Sequence, residues 1–161
     1  MSEQLTFVEY DDNLHRIEVL NLIKILQEYE IRIDADLSQP TNIYCEESLN
    51  SFIEESKSNN GKIYVACVLD DVVGFVAFWM AKDPSLYPES YEWLSVEALA
   101  VKPAYRRLGI ASSLLKLAEE HATKSSVKQL RVNVLAANHL GLSLYNTFGF
   151  KNFEVVLRKN L

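Results

Sequence analysis

The sequence predicts one α/β domain over residues 1–161, because three features of the chain agree on this class. Apolar runs of strand length alternate with stretches in which apolar residues recur every three to four positions, which is the helical repeat. Hydrophobic residues make up 48% and charged residues 24%, as is usual for a globular chain. The longest apolar runs, such as 72–81, fall well short of the roughly 20 residues that a membrane-spanning helix needs.

The N-terminal part of the chain predicts one strand and two helices. Residues 5–10 form the strand, and a polar side chain at 11–13 caps a helix with an apolar stripe. The pattern breaks up over 30–45, which predicts a long loop of a kind that often carries function. A second helix follows over 46–58.

The middle of the chain predicts an antiparallel hairpin and then an exposed loop. The apolar runs 62–69 and 72–80 are separated by Asp70 and Asp71, a spacing typical of a hairpin. Two prolines within 83–90 cannot continue a strand, and they predict a loop there.

The C-terminal part predicts alternating strands and helices, without an internal repeat. A strand over 91–101 leads through a turn into a helix that ends near residue 124. Further strands are expected over 129–135 and 153–158. A short helix that begins at Asn138 and ends at Gly149 lies between them.

Charge and cysteine usage limit the partners and the compartment. The formal net charge of −6 works against nucleic-acid binding, which needs a basic face, and suits a small cationic substrate. The start of the chain lacks a basic and apolar leader, so we expect neither secretion nor membrane attachment. Cys45 and Cys67 match no metal or redox spacing, which predicts reduced thiols in a cytoplasmic protein. The three histidines form no spaced cluster, and we therefore expect no metal site.

A short basic turn over 106–111 connects an apolar strand to an amphipathic helix. The first amides of a helix have no intrahelical partner and its dipole favours negative charge, so the turn predicts an anion site. Arg106 and Arg107 add full charges, and Gly109 leaves the backbone open to a ligand. The alternative is an ordinary strand-to-helix connection with solvated arginines.

Glu97 is a carboxylate on an otherwise apolar strand, and no other ionisable residue lies between Trp93 and Val101. Such a group is costly unless it has a partner or lines a cavity, so Glu97 is a candidate general base for an amine. The alternative is a carboxylate at the sheet surface or one paired with a structural arginine. Unless a bulge intervenes, alternation places five side chains on one face: Trp93, Ser95, Glu97, Leu99 and Val101.

Asn138 and Tyr145 form a second polar pair, because positions seven apart on a helix return to within about 20° of each other. A phenol is protonated at neutral pH and can donate its proton to a thiolate or alkoxide leaving group. The alternative for Tyr145 is a half-buried tyrosine whose hydroxyl bonds to the backbone.

Two stretches carry a family signature, one over 99–111 and one from Asn138 to residue 150, with a strand and a helix between them. In this order they resemble the GCN5-related N-acetyltransferase (GNAT) superfamily. The first stretch fits that family's Arg/Gln-x-x-Gly-x-Gly/Ala signature with Arg106, Gly109 and Ala111 in the matching places.

The resemblance implies a mixed, largely antiparallel central sheet with helices on both faces, and acetyl-CoA as the acetyl donor. In this family the cofactor pyrophosphate lies on the amides of the basic turn, and the pantetheine arm pairs with main-chain groups of the preceding strand. The cofactor-binding residues implied here are Leu99, Ala100, Val101, Arg106, Arg107, Leu108, Gly109, Ile110, Ala111, Ser112, Asn138 and Tyr145.

The resemblance also implies direct attack of an amine on the acetyl group, with no covalent enzyme intermediate. Tyr145 would face the thioester sulfur as the general acid, and Glu97 would deprotonate the amine directly or through water. Ser95 and Glu92 are candidates for ordering that water.

The acceptor is expected to be a cationic primary amine on a small molecule, an amino-acid-like molecule, or a peptide or protein. Charge and loop position predict that it is recognised by Asp34, Asp36, Tyr44, Tyr87, Glu89 and Glu92. A catalytically silent acyl-CoA sensor of the same fold is the competing class, and a nucleotide-binding regulatory domain is a more distant one. The sequence does not decide the oligomeric state, and a homodimer is one option.

Overall fold

The computed structural model describes residues 4–37, 41–83 and 91–161. The elements, in chain order, are β1 Leu5–Glu9, α1 Asp12–Ile33, α2 Asn42–Ser58, β2 Lys62–Val68, β3 Asp71–Lys82, β4 Glu92–Val101, a 3₁₀ turn Pro103–Tyr105, α3 Ile110–Lys124, β5 Leu130–Val132 and α4 His139–Phe148. The predicted order of elements is confirmed as far as α4.

The five described strands form one sheet in the order β1-β2-β3-β4-β5. The first four are antiparallel neighbours, which confirms the hairpin and the largely antiparallel sheet. β5 lies parallel to β4 and pairs with it only from Leu94 to Val96, opposite residues 130–132. The two strands therefore diverge halfway along β4.

A bulge in β4 changes which side chains share a face. Ala77 pairs with Ala98 and the next residue, Phe78, pairs with Val96, so the register skips Glu97. An extra residue in one strand reverses the alternation that follows it. Leu99 therefore lies on the opposite face from Ser95, and the single face predicted for Trp93, Ser95, Glu97, Leu99 and Val101 is wrong.

Helices cover both faces of the sheet, as expected. On one face, Val19, Leu22 and Ile23 of α1 pack with Cys45 and Leu49 of α2 against residues such as Phe75 and Ala98. On the other face, α3 buries Ile110, Leu114, Leu115 and Ala118 against Val76, Phe78 and Val96, and α4 packs at the edge of this core. The sheet is thus the shared wall of two apolar cores.

The predicted loop over 30–45 is wrong in extent, because helix α1 continues through Ile33 and α2 begins at Asn42. Leu26, Tyr29 and Ile33 keep the helical spacing, so the apolar stripe of α1 continues into this stretch. At the other end, the Thr41 hydroxyl accepts a hydrogen bond from the Tyr44 amide at 3.0 Å and caps α2. The stretch between α1 and α2, from 34 to 41, is therefore shorter than the predicted loop.

The predicted last strand over 153–158 is also wrong. Residues 150–161 contain neither helix nor strand, and the apolar side chains of the predicted strand are exposed, for example 90% for Leu157. The segment is held instead by polar contacts, in which Arg158 pairs with Asp34 at 2.8 Å and Asn160 donates to Asp36 at 3.1 Å. Alternation indicates which side chains would share a face, but a strand also needs hydrogen bonds from a neighbouring edge.

Three smaller expectations concern the cysteines, membrane-spanning helices and the loop over 83–90. Cys45 and Cys67 are buried free thiols, and burial raises the pKa of both. Within the described parts of the chain, no helix is long and apolar enough to cross a membrane. Tyr87, Glu89 and most of the loop predicted over 83–90 lie outside the described residues.

Two isoleucines of α1 test this packing. Ile23 is 2% exposed and Ile17 is 74% exposed, so the same substitution removes a core side chain in one case and a solvated one in the other. We expect Ile23→Ala to lower the free energy of unfolding by about 3 kcal/mol. Ile17→Ala should stay within about 0.5 kcal/mol of the parent. Urea denaturation monitored by circular dichroism measures both, and equal effects would contradict the orientation of α1.

Candidate active site

A cleft of about 500 Å³ lies where β5 diverges from β4. One wall is the second half of β4 with the basic turn, another is the C-terminal half of α1, and the remainder comes from α4 and residues 132–134. A cleft of this size is typical of a small-molecule site. Of the predicted site residues, Glu97 and all of the predicted cofactor-binding residues except Leu108 line it.

Main-chain groups of β4 are available along this wall. Among the described strands, residues 98–101 pair only with β3, through partners that run from Ala77 to Gly74. Strand edges that lack a neighbour present unpaired N–H and C=O groups to whatever lies beside them. The open edge of Leu99, Ala100 and Val101 therefore suits an extended ligand that carries amide groups.

The basic turn presents the start of α3 to the cleft. In the described chain, the amides of residues 107–112 have no hydrogen-bond partner, and the first bond of the helix runs from Ser113 N–H to the Gly109 carbonyl at 3.0 Å. Gly109 has a φ of 80°, which favours glycine, and a Cβ built there would meet open space. The turn thus offers a row of donors and partial positive charge to an anion.

The two arginines of the turn differ in what they contact. The Arg106 Nε donates to the Val101 carbonyl at 3.1 Å, and its guanidinium lies 6.0 Å from the centre of the Tyr29 ring. Arg106 therefore contacts both β4 and α1, although it is exposed to solvent like the arginines of the alternative interpretation. Arg107 adopts a φ of 67°, an uncommon conformation for a residue with a side chain.

Asn138 begins α4 as its N-cap, as the sequence predicts. Its Oδ1 accepts from the Gly141 amide at 2.8 Å and from the Tyr29 hydroxyl at 3.3 Å. This arrangement favours glycine at position 141, because a Cβ there would lie 2.8 Å from Asn138 Nδ2. The cap therefore ties α4 to α1 across the cleft.

Tyr145 follows Asn138 by about two helical turns, lines the same cleft and is half-buried. Burial, with a further contribution from the negative charge of Glu30, raises the pKa of Tyr145 to about 12. Within the described residues its hydroxyl makes no hydrogen bond, and its ring meets Phe150 edge-on at 5.5 Å. The phenol is thus protonated at neutral pH and able to donate into the cleft.

Glu97 lies in the cleft lining at the β4 bulge, and its side chain is exposed. The burial from which its role was argued is therefore missing, although its position beside the cleft is as expected. Ser95, one of its predicted neighbours, is buried at 9% exposure, and Glu92 is exposed at the start of β4. Neither of these two lines the cleft.

Sequence reasoning missed two residues of α1 that line the cleft, Tyr29 and Glu30. Glu30 is half-buried, and this burial raises the pKa of its carboxyl above the ordinary value. The signal that could have found it is the helical spacing of Leu26 and Glu30, which places a carboxylate on the inward side once α1 is extended to Ile33.

The remaining predicted acceptor residues are not brought together. Asp34 and Asp36 interact with Arg158 and Asn160, and Arg158 holds the pKa of the Asp34 carboxyl below its usual range. Tyr44 is exposed near the start of α2, outside the cleft lining. The described residues also contain no group of histidine, cysteine and acidic side chains that could hold a metal ion.

Comparison with known proteins gives the same family as the two sequence stretches over 99–111 and 138–150. The profile described as the acetyltransferase (GNAT) family matches residues 24–150. An N-alpha-acetyltransferase of Sulfurisphaera tokodaii is 30% identical over 110 residues, 65% of each chain, so this chain spans just under two thirds of that relative's length. The thialysine N-epsilon-acetyltransferase of Bos taurus is 26% identical over 136 residues, 81% of this chain and 75% of that protein.

A solved structure shares the fold over almost its whole length. It is AAC(6')-Iy in complex with the bisubstrate analogue CoA-S-monomethyl-acetylneamine, with a TM-score of 0.73, 16% identity and 98% of both chains covered. Because the family profile covers most of the chain, the protein belongs to the GNAT acetyltransferase family.

Two glycines with positive φ separate backbone strain from ligand contact. Both Gly109 and Gly149 have positive φ angles, 80° and 109°, so alanine at either position lowers stability by about 1 kcal/mol. Only Gly109 lines the cleft. We expect only Gly109→Ala to weaken CoA binding, by about tenfold, because its Cβ intrudes between the ligand and the amides. Titration calorimetry with CoA measures the difference, and equal affinities for the two variants would contradict the anion site.

Proposed function

We propose that the protein transfers the acetyl group of acetyl-CoA to a primary amine, by direct attack while both substrates are bound. The observation that carries this proposal is the meeting of an open β4 edge, unpartnered amides at the start of α3, and Tyr145 in one cleft. These three features match an amide-bearing arm, a pyrophosphate and a thiolate leaving group respectively.

The chain's own residues fit the donor in this proposal. The amides of 107–112 receive the pyrophosphate, and the open edge of residues 99–101 pairs with the pantetheine amides. Asn138 retains its Nδ2 donor for the same arm, because its Oδ1 is already occupied by Gly141 and Tyr29. When bound, acetyl-CoA supplies an acetyl group activated as a thioester.

Two ionisable groups then handle the protons. Glu97, directly or through a water, takes one proton from the acceptor ammonium. The free amine forms a bond to the acetyl carbon, the bond from that carbon to sulfur breaks, and the Tyr145 phenol donates its proton to the sulfur. The second proton on the new amide nitrogen returns to the Tyr145 oxygen, and Glu97 releases its proton to solvent, so the enzyme ends as it began.

The acceptor in this proposal is a cationic amine. The net charge of −6 favours a cation. One relative is named for N-alpha-acetylation and another for N-epsilon-acetylation of thialysine, and the structural neighbour was solved with an acetylneamine conjugate of CoA. Asp34 and Asp36 take part only if their contacts with Arg158 and Asn160 open, and Tyr44 and Tyr87 remain candidates for the outer part of the acceptor site.

A thiol-release assay with acetyl-CoA tests the activity. The acceptors are thialysine, neamine and a peptide with a free N-terminus, each assayed separately, and the acetylated product is identified by mass spectrometry. Release of free CoA that depends on the amine is the expected result. CoA binding without amine-dependent release from any of the three would favour the acyl-CoA sensor instead.

Tyr145→Phe is expected to lower kcat by about 100-fold or more while leaving the Kd for CoA unchanged, because it removes only the donated proton. Glu97→Gln should likewise lower kcat without weakening CoA binding. The pKa of about 12 for Tyr145 means that the acid form persists through the neutral range, so the wild type should not lose this proton below about pH 11. Full activity of Tyr145→Phe would rule out its role as the acid.

A further inference from the structure

Glu30 is a carboxylate inside the cleft that the proposed reaction leaves without a role. It lies in the last turn of α1, it is half-buried, and it lines the same cleft as Tyr145 and Glu97. Across the described chain, its side chain makes neither a hydrogen bond nor an ion pair. Its charge nevertheless reaches Tyr145, because it contributes to the raised pKa of that phenol.

Two physical costs act on this carboxylate. Its burial removes water from a charged group, and the raised pKa of Glu30 reflects this loss of solvation. Its place in the last turn puts it at the negative end of the helix dipole, where a carboxylate is unfavourable. Without a cationic partner nothing in the described structure offsets either cost. A residue that stabilised the fold would not be found in this position.

Two arginines contact the ring of Tyr29, the residue next to Glu30, and neither forms an ion pair with Glu30. The Arg106 Nε donates to the Val101 carbonyl, and its guanidinium lies 6.0 Å from the centre of the Tyr29 ring. Arg32 on the same helix lies 6.0 Å from the centre of the same ring. Glu30 is therefore open to a cationic group of a molecule that enters the cleft.

We propose that Glu30 binds the ammonium group of the acceptor and thereby selects cationic amines. This inference rests on the proposed acetyl transfer and adds the residue that recognises the acceptor's charge. The ammonium would lie between Glu30 of α1 and Glu97 of β4, with an N–H group directed to each carboxylate. Glu97 takes the proton in the reaction, whereas Glu30 stays ionised and holds the nitrogen beside Tyr145.

The two carboxylates therefore have separable effects on the kinetics. Loss of Glu30 removes binding that is made before the reaction, so it raises the acceptor KM more than it lowers kcat. Loss of Glu97 removes the base, so it lowers kcat more than it raises KM. A further difference concerns the free protein, because removal of a buried charge without a partner does not destabilise the fold.

The test is Glu30→Gln, with Glu28→Gln as the matched control. Glu28 lies two residues earlier on α1, is exposed and does not line the cleft, so its substitution removes the same charge from the same helix. For each acceptor in the panel that the wild type acetylates, Glu30→Gln should raise KM by about tenfold or more. It should leave kcat within about threefold, the Kd for CoA unchanged and the Tm no lower than that of the wild type. Glu28→Gln should match the wild type in all four.

Each other outcome overturns a stated part of the account. An unchanged KM together with a lower Tm would make Glu30 a structural residue. A large loss of kcat with an unchanged KM would make it the base and would overturn the recognition role. If the wild type acetylates none of the three amines, the proposed function itself fails. If the wild type is active and Glu30→Gln has the same KM and kcat, only the role of Glu30 fails.

Discussion

The divergence of β5 from β4 is the constraint on which the rest of the site depends. The first half of β4 is hydrogen-bonded on both edges, and the second half is bonded to β3 alone among the described strands. The bulge at Glu97 falls at this change, where one extra residue turns the strand and reverses its alternation. The open edge, the exposed Glu97 and the cleft itself all follow from this one irregularity in the sheet.

The electrostatics of the cleft are divided between its ends. Positive potential is local to the start of α3, where free amides and arginines lie together in a chain with a net charge of −6. Glu30 and Glu97 bring negative charge to other parts of the lining, and the charge of Glu30 acts on the phenol of Tyr145. In the proposed reaction, an anionic donor and a cationic acceptor would be attracted to different parts of one cavity, which suits the transfer of a group from one to the other.

Much of the fold could be predicted because its signals are local. The hairpin turn at Asp70, the helix of the basic turn and the stop at Gly149 each depend on residues within one or two turns of each other. Some errors arise where distant groups decide. The apolar pattern over 153–158 suits a strand, but no strand of the described chain pairs with it. The extent of α1 is an error of a different kind, because the helical spacing of Leu26, Tyr29 and Ile33 was already present in the sequence.

The sequence by itself determined the family signature, the order of the elements and most of the residues of β4 and the basic turn that line the cleft, because these are contiguous motifs with fixed spacing. Tertiary structure alone decided that Glu97 is exposed at a bulge, that Arg158 pairs with Asp34, and that Glu30 of the first helix faces Tyr145 of the last. These contacts join residues far apart in the chain. Burial and charge at such sites depend on what the fold places opposite each side chain, which no local pattern encodes.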